Sequence, residues 1–78
     1  MIQVWLHCRY DVDDEHVDDY VVHDSAESFL RRIEERIRMG SFFTVVDAER
    51  CVWGYFPETI IRIIVRELPP EAAPVPGS

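Results

Sequence analysis

Residues 24–40 read DSAESFLRRIEERIRMG, and this stretch decides the fold. Ala26, Phe29, Leu30, Ile33 and Ile37 recur at helical spacing and form one apolar face. Glu27 and Arg31, Arg31 and Glu35, and Glu34 and Arg38 stand four apart on the outer side, each pair adding about 0.3 kcal/mol. Asp24 and Glu27 have the spacing of a capping box, and Gly40 stands where a residue of positive φ closes a helix. The reading is one helix from Ser25 to Met39, opened by Asp24.

On both sides of it the period changes to two. In residues 2–10, Ile2, Val4, Leu6, Cys8 and Tyr10 alternate with Gln3, Trp5, His7 and Arg9, as in a half-buried strand. The stretch 11–19, DVDDEHVDD, is crowded with like charges and reads as a solvated acidic loop, with a short strand at 20–22 after it. Beyond the helix, FFTVVD and RCVWGYF read as two strands joined at Asp47-Ala48-Glu49-Arg50, a type I turn composition. Residues 59–65 hold six β-branched side chains in seven positions, which favours a strand over a helix of the same hydrophobicity. Four prolines in residues 68–78 read as a disordered tail. The expectation is a single α+β domain over residues 1–67, one amphipathic helix packed on a small antiparallel sheet in the order β(β)αβββ.

A chain of 78 residues with 47% apolar side chains makes one small core and no more. Its net charge of −7 is concentrated: residues 1–24 carry one Arg against seven acidic residues, whereas residues 25–67 carry seven of each sign. With no surplus of cations there is little to displace counterions from phosphates, so direct nucleic-acid binding and attraction to anionic membranes are not expected. All cationic residues are Arg, and Lys and Asn are absent, as in proteins from GC-rich genomes. No run of 18 apolar residues and no signal-like start is present, so the cytoplasm is the expected location, a virion component being the other.

The residues that could carry chemistry are few. Read as an EF-hand from Asp11, the acidic stretch lacks the glycine at position 6 and the acid at position 12. A looser divalent site from Asp11, Asp13, Glu15, His16 or Asp18 is the weakest of three functional readings, and no metal ligand or cofactor is assigned. His7 and Cys8 are adjacent on a strand and point to opposite faces, and His23 stands before a helix N-terminus. Cys8 and Cys51 form no CxxC and read as two buried thiols. No nucleophile, phosphate-loop or dinucleotide motif is present, so neither catalysis nor a small-molecule substrate is expected.

The aromatic distribution is more informative. One helix covers one face of a sheet, yet Trp5 lies on the other face of the first strand, and both hairpin strands carry large apolar groups on both faces. Trp5, Phe42, Trp53 and Tyr55 are therefore assigned to a second sheet face that contacts a protein partner or another copy of the chain. The alternative is an acidic inhibitor or nucleic-acid mimic that engages a basic site through Asp11, Asp13, Asp14, Glu15, Asp18 and Asp19. The stretch FPETIIRII, with Phe56, Pro57, Glu58, Ile61 and Ile64, resembles the end of small β-rich bacterial and phage accessory proteins, including the flagellar FlbD-like group. That resemblance implies a compact, partner-bound accessory protein and supplies no site residue. The expected function is a non-enzymatic interaction or structural module, self-associating or part of a larger assembly.

Overall fold

A computed structural model describes residues 1–69. Five strands and one helix follow in the order β1 (Ile2–Asp11), β2 (Asp14–Val22), α1 (Ala26–Met39), β3 (Phe43–Val46), β4 (Val52–Tyr55), a 3-10 turn (Pro57–Thr59) and β5 (Ile60–Glu67). The fold is α+β, as the sequence predicts, and residues 59–65 are extended from Ile60 onward. The Pro-rich tail falls outside the described residues beyond Pro69.

The strands form two sheets, β2-β1-β5 and β3-β4, each antiparallel. Ile2, Val4, Leu6 and Cys8 are fully buried on the inner face of β1, with Tyr20 and Val22 beside them from β2. Two elements share the task of covering that face. Helix α1 sets Phe29 and Ile33 on it, each worth about 1.5–3 kcal/mol by burial. The β3–β4 hairpin adds Phe43, Val45 and Tyr55.

The stretch read as an acidic loop is a strand. Only Val12 and Asp13 make the turn, and residues 14–22 pair with β1 from Asp11↔Asp14 to Ile2↔Val22. The like charges that argued for a loop are tolerated because the apolar partners at the other end fix the register, with Val22, Tyr20 and Asp18 facing inward. Asp11 and Asp14 remain opposite each other, beside an irregularity in the ladder.

The helix begins one residue later than the capping-box reading places it. Ser25 is the N-cap, its hydroxyl accepting from the Ser28 N–H at 3.2 Å, while Asp24 accepts from Ser25 N–H at 2.8 Å and pairs with Arg32. Gly40 ends it in the left-handed region at φ 73°, donating to the carbonyls of Arg36 and Ile37. In β5 the ladder slips between His7↔Arg62 and Cys8↔Ile60. Ile61 occupies that slip, so the inward set is Ile60, Ile63 and Val65 rather than a regular run from Ile61.

The hairpin turn is built as its composition suggests. Arg50 N–H donates to the Asp47 carbonyl at 3.0 Å, and Arg50 then takes φ 66°, the left-handed residue that closes a three-residue loop. Ser25→Ala is expected to lower stability by about 1 kcal/mol through the lost cap. Arg50→Gly is expected to raise it by about 0.5–1 kcal/mol by relieving the left-handed backbone. Urea unfolding of both variants checks the two signs.

Candidate functional site

The hairpin is attached to the main sheet by side chains. The Tyr55 hydroxyl donates to Asp18 Oδ2 at 3.0 Å, and Tyr20 lies 2.9 Å from the same hydroxyl. Because the single Tyr55 proton goes to Asp18, Tyr20 is the donor of the second bond. His16 Nε2 donates to Asp18 Oδ1 at 2.7 Å, so both carboxyl oxygens of this buried aspartate are occupied. Trp53 stacks on Tyr20 with ring centroids 4.6 Å apart. Its Nε1 donates to Asp47 Oδ2 at 2.8 Å, while Asp47 Oδ1 accepts from the Glu49 and Cys51 amides. One backbone bond, Ala48 N–H to the Val21 carbonyl at 2.7 Å, completes the attachment.

Burial and these bonds govern how the groups of the network ionise. Burial pushes the Tyr20 hydroxyl up to about 12, against the opposing effect of its bond to Tyr55. Burial, the Tyr20 phenol and the Asp18 carboxylate push Tyr55 well above the ordinary tyrosine value. Burial likewise raises the Cys8 thiol above 9.0, although bonds from Tyr10 and Thr59 work against it. Cys8 is buried as read, whereas Cys51 is exposed, because it sits at the turn before β4 begins. Asp47 is lowered below 3.8 chiefly by the Trp53 N–H, which favours its charged form.

Seen together, the residues assigned to one sheet face divide among three places. Tyr55 is 1% exposed and belongs to the core, and Trp53 packs against that core beside Tyr20. Trp5 lies on the opposite face of β1, with Arg66 5.7 Å above its ring and Ile64 as its cross-strand partner. That face is strongly charged: Arg9 and Glu15, Gln3 and Asp19, and Arg62 beside His7 all flank the tryptophan's strand. Phe42 is the exposed member, on the outer side of the hairpin.

That outer side is an open apolar surface. Phe42, Val46, Val52 and Phe56 are 55, 55, 65 and 54% exposed. Thr44 and Gly54, paired between them, are the remaining outward positions, so no charged side chain stands in the row. The Phe42 ring covers Gly54, where an added Cβ would lie 2.5 Å from Cζ, and it meets Phe56 at 5.0 Å. Val46 and Phe56 were legible as apolar in the sequence, but which hairpin face was open depended on where Tyr55 points.

The acidic residues also separate. Asp18 turns into the core, Asp19 turns to the Gln3 side, and Asp11, Asp13, Asp14 and Glu15 remain exposed around the turn. Among the described residues no three His, Cys, Asp or Glu side chains are arranged to hold a metal ion, and no helix is long and apolar enough to cross a membrane. No family model, curated protein or solved structure matches this chain.

Two outcomes follow from the network. Tyr55→Phe leaves Asp18 Oδ2 and the Tyr20 hydroxyl without their partner and is expected to cost about 1–3 kcal/mol, read by chemical denaturation. Tyr20 and Cys8 have raised folded-state values, so their contribution is complete below the unfolded values and is lost as pH rises from about 9 toward 12. An absorbance titration should therefore show Tyr20 and Tyr55 ionising only together with alkaline unfolding. Early, independent ionisation of all three tyrosines would contradict the network.

Proposed function

We propose that this protein is a non-enzymatic interaction module that self-associates through the outer face of the β3–β4 hairpin. The observation that carries this reading is the charge-free row of Phe42, Val46, Val52 and Phe56, each more than half exposed, in a chain of net charge −7. An uncharged patch in a strongly acidic protein is where two copies approach with the least desolvation and repulsion. The row offers roughly 400 Å² of apolar surface, within the roughly 300–600 Å² of the largest patch on a typical monomer, a patch that is often functional. Two such patches face to face bury about 800 Å², below the lower limit, roughly 1,200 Å², of standard stable interfaces. A reversible two-fold dimer, or seating on a larger assembly of the bacterial or phage accessory kind, fits that size.

The role of the inner network supports the same reading. Asp18, Tyr20 and Tyr55 fix the hairpin from behind, so its outer face is presented as a rigid surface at little cost in ordering. Light scattering across a concentration series is expected to give a mass that rises toward the dimer and persists in about 1 M salt, where charge contacts are screened. In that high salt Val52→Glu, at a position outside the core, should return the mass to the monomer at every concentration with the fold intact by circular dichroism. A wild-type chain that is monomeric throughout in about 1 M salt, or a Val52→Glu chain that associates there as well as wild type, would sink the proposal.

A further inference from the structure

Between α1 and β3 the fold leaves a groove of about 390 Å³ with Phe29, Ile33, Phe43 and Val45 among its lining residues. Arg32 and Arg36, one helical turn apart, form one bank. Arg32 is shared with Asp24, while Arg36 enters no ion pair among the described residues. His23 stands with them at the groove. Asp47 also borders it, but the Asp47 oxygens are occupied by Trp53 and two backbone amides.

The other bank is an open strand edge. Asp47 N–H points across the hairpin to the Cys51 carbonyl at 2.9 Å. By the alternation of an antiparallel ladder, Phe43 and Val45 also direct their backbone groups to β4, and Thr44 and Val46 direct theirs away from it, along the groove. Among the described residues these groups meet no backbone partner. Guanidiniums on one side, an apolar floor and free backbone donors on the other suit a short acidic segment that carries an apolar side chain.

The chain carries such a segment at its far end. Pairing of β5 with β1 stops at Cys8↔Ile60, so the β1–β2 ribbon continues past the three-stranded sheet. At its turn Val12 is 82% exposed, flanked by Asp11, Asp13 and Asp14, all exposed. The ribbon does not reach its own groove. Val22, which lines the groove, is the last residue of β2, and Asp14 is the first, so the strand holds the two about 27 Å apart.

We propose that the acidic β1–β2 tip of one copy docks in the Arg32–Arg36 groove of the next, with Val12 on the apolar floor and Asp13 and Asp14 against the guanidiniums. The contact uses two different surfaces, so it joins copies head to tail and generates a ring or a filament. It is separate from the hairpin face, and neither requires the other.

Sedimentation of the wild-type and Val52→Glu chains at about 0.01 M and about 1 M salt separates the two contacts. Head-to-tail docking predicts association at low salt in both chains, weakened about tenfold or more at high salt. Placed in the Val52→Glu chain, Arg36→Glu, and separately Asp13→Arg with Asp14→Arg, should each abolish the low-salt association. An equal mixture of these two charge-reversed chains should restore it, because each then offers the surface the other needs. Equal mass at both salt concentrations for the wild-type chain would overturn the proposal, as would a mixture that stays monomeric while both variants keep native circular dichroism. Loss of association at high salt on Val52→Glu alone reports the hairpin face and leaves the low-salt result to decide the groove.

Discussion

The Tyr55 hydroxyl joins two parts of the fold that no strand ladder connects, donating to Asp18 of β2 and accepting from Tyr20, while its own strand pairs only with β3. A four-residue strand in a two-stranded sheet has little stability alone. What holds it is the burial of Tyr55 with Phe43 and Val45 against the main sheet, and the bonds that satisfy the hydroxyls buried with them. The buried carboxylate makes this attachment specific. A hairpin turned over would place Val52 and Gly54 inward and leave Asp18 Oδ2 without its donor, a cost of about 1–3 kcal/mol before the lost packing.

The orientation of the hairpin then determines the character of the surface. With Trp53 and Tyr55 turned inward, their neighbours Val52 and Phe56 face out together with Phe42 and Val46. The opposite side of the molecule, around Trp5, is apolar at its centre but carries Arg9, Glu15, Asp19, Arg62 and Arg66. Charge is thus absent from one sheet face and abundant on the other. The acidic residues lie farther out still, on a ribbon that extends beyond the core, where repulsion between Asp11 and Asp14 costs least.

Much of this was legible in the residues, and the failures at the hairpin and at β2 have a common cause. Helix α1 and strand β1 follow from periodicity, because a stripe such as Phe29 with Ile33, or Ile2 through Cys8, states its own buried side. Alternation also divided the hairpin correctly into Phe43/Val45 and Phe42/Val46, and into Trp53/Tyr55 and Val52/Phe56. When both sides of a strand are apolar, however, alternation does not say which one is covered. That choice rested on Asp18, an inward carboxylate in a stretch of aspartates that looked uniformly solvated. The same residue concealed β2: with Asp18 read as exposed, the inward series Asp18, Tyr20, Val22 shrank to a short strand and the rest became a loop. In β5 the slip at Ile61 brings Ile60 inward in its place, while Ile63 and Val65 face the core as alternation has them, a detail of pairing with β1 that no single strand encodes.

An interface made by the hairpin's outer face has a local signature that overall mass does not provide. Hydrogen exchange measured peptide by peptide at low and high protein concentration tests it most directly. The account predicts slower exchange over residues 43–56 as concentration rises in high salt, with the Trp5 face of β1 unchanged. Exchange over residues 43–56 that is independent of concentration, while protection appears around Trp5 and Ile64 instead, would contradict it.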